Sequence, residues 1–197
     1  RIDKDKYDVI IMPAGYYGFL NDKNAAEDLR QWIQAGGKLV AMDRAVAQLS
    51  KLDWTIKSKK DDSDDKKGDY DAVKMYNERE KDYLRSFIPG SIFRVELDNS
   101  HPLAFGYPDH YYTLKQDDNM YDFIKEDGWN VGVIKKDNQV SGYVGSKLKS
   151  KLQDGVVFGV QDLGRGTIVY LADNLLFRSF WENGKLMFCN AVFLVGE

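Results

Sequence analysis

The side chains in this sequence that could do chemistry at a strand end are carboxylates, with no thiol, hydroxyl or imidazole at those positions. Asp43 stands out. It closes the apolar run 38–42 ahead of a helical stretch, the place where loops of an open α/β sheet present ligands. A carboxylate there can serve as a nucleophile or general base. It can equally cap the following helix and pair with Arg44 or another cation. Asp173 and Asn174 follow the apolar run 167–171 in the same way, either coordinating a ligand or capping residues 175–181. Arg178 lies among Leu176, Phe177, Phe180 and Trp181, so its charge needs a partner. Asp43 or Asp173 is the expected partner, and a clamp on a substrate carboxylate is the other role open to it.

The remaining candidates read more blandly. Cys189 sits in the apolar run 186–194 with helical spacing and is expected to be a core thiol. One cysteine allows no internal disulfide. Residues 57–71 hold six Asp and five Lys with little to bury, which predicts a mobile, solvated loop. Within it Asp61, Asp62, Asp64 and Asp65 suggest calcium, but the glycine and final glutamate of a helix-loop-helix site are missing and lysines interrupt the acids. Tyr16, Tyr17 and Phe19, and later Tyr107, His110, Tyr111 and Tyr112, form either an aromatic rim that stacks on sugar rings or peptide side chains, or ordinary packing.

These residues need a sheet to position them. The apolar run 7–12, closed by Pro13, predicts a strand buried on both faces of a parallel sheet. Asn21 or Asp22 caps a helix whose stripe is Ala25, Ala26, Leu29, Trp32 and Ile33, and Gly36-Gly37 stops it. A strand at 38–42 and a short helix at 45–52 follow. Residues 70–87 have helical spacing through Val73, Tyr76, Tyr83, Leu84 and Phe87 and end at Pro89-Gly90. Strands are then expected at 92–97, 111–114 and 129–134, a helix at 146–152, an antiparallel hairpin of 156–160 with 167–171 across a glycine-bearing turn, and a last helix at 185–194.

Length and charge bound the rest. A chain of 197 residues supports one domain, burying roughly 70% of its unfolded surface. A net charge of −3, from 28 Lys+Arg and 31 Asp+Glu, gives no reason to expect a nucleic-acid partner. No apolar run approaches the roughly 20 residues of a membrane span. A sequence opening on Arg1 is expected to be a fragment or processed product.

Three segments, 7–14 (YDVIIMPA), 89–106 (PGSIFRVELDNSHPLAFG) and 164–193 (GRGTIVYLADNLLFRSFWENGKLMFCNAVF), together resemble the class I glutamine amidotransferase-like domain that follows the catalytic domain of bacterial zinc carboxypeptidases. The resemblance implies a three-layer, flavodoxin-like open sheet, mostly parallel, with an antiparallel C-terminal hairpin. It implies a single domain over 1–197 that begins one strand–helix–strand late. It places Pro13-Ala14-Gly15 in the loop that gives oxyanion donors, and Asp43 at the elbow that carries cysteine in catalytic relatives. The histidine segment falls at Ala172-Asp173-Asn174, so both halves of the amidotransferase machinery are replaced. His101 and His110 lack the His-x-x-Glu spacing of the peptidase zinc site. The expectation is therefore a noncatalytic accessory domain, periplasmic or secreted, with no cofactor and no metal. Its expected partners are an upstream peptidase domain and a peptide or cell-wall-derived ligand. The residues expected to bind are Ala14, Gly15, Tyr16, Tyr17, Asp43, Arg44, Asp173 and Arg178. The alternatives are a hydrolase using Asp43 and a module binding sugars or peptides through its tyrosines.

Overall fold

The computed structural model describes residues 6–60 and 75–196. Its strands are β1 (Val9–Met12), β2 (Lys38–Met42), β3 (Gly90–Leu97), β4 (His110–Lys115), β5 (Gly128–Ile134), β6 (Gln139–Tyr143), β7 (Gly155–Leu163) and β8 (Gly166–Leu171). Its helices are α1 (Lys23–Gln34), α2 (Arg44–Leu49), α3 (Tyr76–Arg85) and α4 (Glu182–Phe193), with short 3₁₀ turns between them. One sheet takes the order β1-β2-β8-β7-β5-β3-β4, and β6 pairs with β3.

Only β1–β2 and β2–β8 are parallel. The other five pairings are antiparallel, so the sheet is mixed and mostly antiparallel rather than mostly parallel. The difference begins after α2. β3 buries every second residue, Ser91, Phe93, Val95 and Leu97, which is the period-2 signature of a strand with one covered face. β2, β7 and β8, in contrast, are buried along most of their length and must be covered on both faces. The antiparallel hairpin is present, with Leu163 paired to Gly166 and the turn at Gly164-Arg165, where Gly164 has φ +66°.

The sheet also curls. β4 is four strand steps from β8, about 19 Å in a flat sheet. Yet the Thr113 hydroxyl donates to Asp173 Oδ2 at 2.6 Å, and the Tyr111 and Phe158 rings meet at 5.2 Å. A short side chain such as threonine cannot cross that gap unless the antiparallel half folds back over the parallel half. The core therefore lies inside a half-barrel, and this replaces the flat three-layer arrangement.

Locally the helices follow their sequence signals. Asp22 caps α1 through the N–H groups of Asn24 and Ala25 at 2.8 and 3.3 Å, and Ala26, Leu29, Trp32 and Ile33 are buried. Residues 146–152 form turns instead of a helix: the N–H groups of Gly145 and Lys147 go to the carbonyls of Phe87 and Arg85, while Leu148 and Leu152 still reach the core. β6 is almost wholly exposed, so no hydrophobic alternation announced it. Residues 57–60, the start of the expected mobile loop, are tied down instead: Ser58 bridges Tyr121, and Lys59 N–H donates to Met120 O at 2.8 Å. The rest of that segment, with Asp61, Asp62, Asp64 and Asp65, lies outside the described residues. Cys189 is exposed, contrary to expectation, because α4 buries Gly184, Met187, Asn190 and Ala191 and turns position 189 outward.

Candidate functional site at the Asp43 edge of the sheet

Strand direction decides which loops meet. β1, β2 and β8 run together, and four reversals through β7, β5, β3 and β4 bring β4 back to the same sense. Pro13, Asp43, Asp173 and Lys115 therefore all emerge at one edge, and the curl closes the distance between the last two.

Asp43 occupies a sharp strand-to-helix turn with φ 50° and ψ −118°, a strained conformation for a residue other than glycine. The main chain holds it there. Its N–H donates to Leu171 O at 2.8 Å, and its carbonyl accepts from Val46 and Ala47 at the start of α2. Its side chain caps nothing and accepts no hydrogen bond from any described residue, so the expected capping role is not realised. Arg44 beside it is exposed.

Lys115 ends β4 fully buried. Its ammonium donates to Asp173 Oδ1 at 2.8 Å and to Asn119 O at 2.9 Å, and it stands 4.0 Å from Asp117. Burial alone would lower its pKa, but the facing charges of Asp173 and Asp117 outweigh that and raise it, so the lysine stays charged. Both Asp173 oxygens are used, one by Lys115 and one by Thr113. Asp117 accepts from the main-chain and side-chain nitrogens of Asn119 at 3.0 and 2.8 Å. Burial raises the pKa of Asp117 against the opposing pull of Lys115. The Asp43 carboxyl is likewise raised, first by burial and then by Asp117 and Asp173, with Arg44 and Lys115 acting the other way. Tyr121 completes the group. It is 1% exposed, its hydroxyl is buried without a hydrogen-bond partner, and burial together with the three aspartates pushes its ionisation far above the ordinary range.

A cleft of about 530 Å³ opens beside this group between Gly15, Tyr16, Arg44, Lys51, Asn119 and Tyr121. Its wall at residues 13–17 is fastened by Gln48 of α2, which donates to Gly15 O at 2.7 Å and accepts from Tyr17 N at 2.8 Å. The Tyr17 hydroxyl returns to Pro13 O at 2.8 Å. Replacing Gln48 with alanine removes both bonds and should lower stability by about 1–2 kcal/mol, read as a shifted midpoint of urea unfolding.

No family model and no curated protein matches this sequence. The fold is similar to a solved ThuA-like structure. That crystal structure, of a protein from Bacteroides uniformis ATCC 8492 at 2.30 Å resolution, aligns over 98% of this chain and 74% of its own, with 15% identity and a TM-score of 0.48.

Of the residues expected to bind, Ala14, Gly15, Tyr16, Tyr17, Asp43, Arg44 and Asp173 all stand at this edge. Arg178 takes neither aspartate as partner. It is exposed at φ 49°, with its guanidinium 5.2 Å from the Phe177 ring centre, and the cation on Asp173 is Lys115. Asn174 makes a local turn bond, accepting from Leu176 N at 3.1 Å, but the 3₁₀ turn Phe177–Ser179 has Leu176 as its N-cap with no side-chain bond, and Asp173 is an ion-pair residue, so neither takes the expected capping role. The aromatic rim divides. Tyr16 lines the cleft and the Tyr17 hydroxyl turns back to Pro13 O, while Tyr111 is buried against Tyr107 and Phe158 and accepts from Trp181 Nε1 at 3.1 Å. His110 and Tyr112 meet at 5.5 Å near the start of β4, about 17 Å of strand from Lys115. His101 caps a 3₁₀ turn by accepting from Leu103 N, and shares a cleft with Asp98, Asp162 and Thr167 at the opposite edge. Sequence reading missed Lys115, Asp117 and Tyr121. One signal for Lys115 existed: it falls on the inward phase of β4 with Tyr111 and Thr113, where a lysine must have a buried partner.

Proposed function

We propose that this chain is a noncatalytic α/β domain with the frame of a class I glutamine amidotransferase, serving as the accessory domain of a zinc-carboxypeptidase-like protein outside the cytoplasm. It docks against the peptidase domain or contacts a peptide or cell-wall-derived substrate. One observation carries the noncatalytic half. The strained elbow holds Asp43, whose charged neighbours are other carboxylates, an exposed arginine and a lysine already committed to Asp173. A thiol route to amide hydrolysis needs a cysteine with an adjacent base to take up its proton, and a carboxylate that attacks an amide needs an acid to protonate the leaving amine. Both histidines stand at the far edge, and Cys189 lies on the outer face of α4. The peptidase context rests on the sequence resemblance.

The chain is incubated with L-glutamine, a p-nitrophenyl ester and a peptide amide, beside an Asp43→Ala variant whose folding is checked by circular dichroism. Turnover at the buffer rate in both is the expected result. Turnover that disappears in the variant would establish a hydrolase in which Asp43 attacks and the Ala14 and Gly15 N–H groups receive the oxyanion. Zinc content and carboxypeptidase activity of the full-length gene product test the context, and absence of both removes it.

A further inference from the structure

We propose that the cleft at the edge of the sheet opposite Asp43 binds a neutral pyranose sugar, stacked on Trp129 and hydrogen-bonded by Asp98, Asp162 and His101. These four side chains line one opening of about 450 Å³, a size usual for small-molecule sites. The sheet gathers them from distant parts of the chain. Trp129, near the start of β5, pairs with Val160 of β7 just ahead of Asp162, and Asp98 follows β3 with its N–H on Val131 O at 2.8 Å. Of the four tryptophans Trp129 alone is exposed, and its indole N–H donates to no described residue. The His101 ring meets it at 5.7 Å with a 50° tilt, so indole and imidazole form one aromatic wall. Such a wall takes the C–H face of a sugar ring as it takes other apolar surface, and leaves the hydroxyls for polar partners.

Those partners have open positions. Asp98 Oδ1 accepts from the Ser100 N–H and hydroxyl at 3.1 and 2.5 Å, and Asp162 Oδ1 accepts from the Thr167 hydroxyl at 3.3 Å, which leaves Oδ2 of each without a described partner. His101 Nδ1 accepts from Leu103 N at 3.0 Å, so the neutral ring carries its proton on Nε2. Burial holds this imidazole below its ordinary pKa against the pull of Asp98 and Asp162, which keeps it neutral near pH 7. The cleft therefore sets carboxylate acceptors beside N–H donors. A polyol answers both, because each hydroxyl donates one bond and accepts others. A simple cation would satisfy the carboxylates and leave the imidazole and indole N–H groups with no acceptor. An acidic sugar would be repelled by the two carboxylates.

This cleft and the one beside Asp43 share no lining residue, so the outcome is independent of the noncatalytic reading. The test titrates the isotopically labelled chain with methyl β-D-glucopyranoside and follows its four indole N–H signals by NMR, Trp129's being the one absent from Trp129→Ala. A saturable shift of that signal is expected, with the other three unmoved. Sorbitol, which has hydroxyls but no ring, and glucuronate, which adds a negative charge, are expected to shift nothing. Binding read from the sugar's own saturation-transfer signal should weaken at least about tenfold in Trp129→Ala and about threefold in Asp98→Asn, since a carboxylate accepts a stronger bond than an amide. No saturable shift with the glucoside, an equal shift with sorbitol, a larger one with choline chloride, or binding undiminished in either variant would each overturn the proposal. If Trp129→Ala does not fold, Trp129→Phe assigns the signal, and Asp98→Asn and Asp162→Asn decide by the same reading.

Discussion

Replacing Lys115 with methionine is expected to lower stability by about 3–5 kcal/mol, a large part of the roughly 5–15 kcal/mol that holds a domain of this size folded. Methionine nearly matches the lysine stem in volume, so packing changes little. What changes is charge. Asp173 is 5% exposed and would keep only its bond from Thr113, leaving a buried carboxylate without a counter-ion. The loss should be concentrated in the curl, because Lys115–Asp173 and Thr113–Asp173 are the polar bonds that join β4 to the end of β8. Urea unfolding followed by tryptophan fluorescence measures the loss. A triple variant, Thr113→Val with Lys115→Met and Asp173→Leu, should recover most of it, since an ion pair replaced whole by apolar groups is often neutral or stabilising. A single variant losing less than about 1 kcal/mol would mean that the pair is already hydrated and that the curl rests on apolar contacts such as Tyr111 against Phe158.

The parallel half was legible because its signals are local. The cap at Asp22, the Gly36-Gly37 stop and the run 38–42 each satisfy a rule within a few residues, and they place Asp43 at a strand end correctly; the run 7–12 also gives a strand, but at the sheet edge with only Met12 buried, not covered on both faces. Direction in the second half is set by pairings far apart in sequence, such as β5 with β7 and β3 with β4, and periodicity within a strand does not name its neighbour. That is why the antiparallel bias and the curl were not foreseen. The same gap hid half the site. Lys115, Asp117 and Tyr121 lie more than 70 residues from Asp43 in the chain, and they reach it only because the sheet folds back. Cys189 failed for a different reason: helical apolar spacing locates a helix but leaves its buried side ambiguous when both faces carry large hydrophobic residues, and Leu186 and Phe193 are exposed on α4 as well.

Asp43→Asn should raise stability near neutral pH and leave it almost unchanged near pH 4. Asparagine adopts positive φ about as readily as aspartate, so the strain at φ 50° is retained and only the charge is removed. Burial and facing carboxylates hold the folded-state carboxyls of Asp43 and Asp117 above the ordinary carboxylate range, so between that range and their raised values the folded chain holds more protons than the unfolded one. Stability therefore falls as pH rises through this window, and the contribution of these two groups is fully present only below it. The groups facing Asp43 are Asp117, Asp173 and Tyr121, with Lys115 and Arg44 of opposite sign. Removing Asp43 relieves repulsion from the two aspartates and its own burial, and it forfeits attraction to the two cations. Since the net shift is upward, the gain wins, and because the side chain is half-exposed it should stay near 1 kcal/mol or below. Urea midpoints at pH 4 and pH 7 measure it. An equal difference at both values would place the effect in the backbone turn instead of in charge. A gain confined to neutral pH means that the wild-type carboxylate is held at the expense of stability, which is what a group kept for binding at this edge would do.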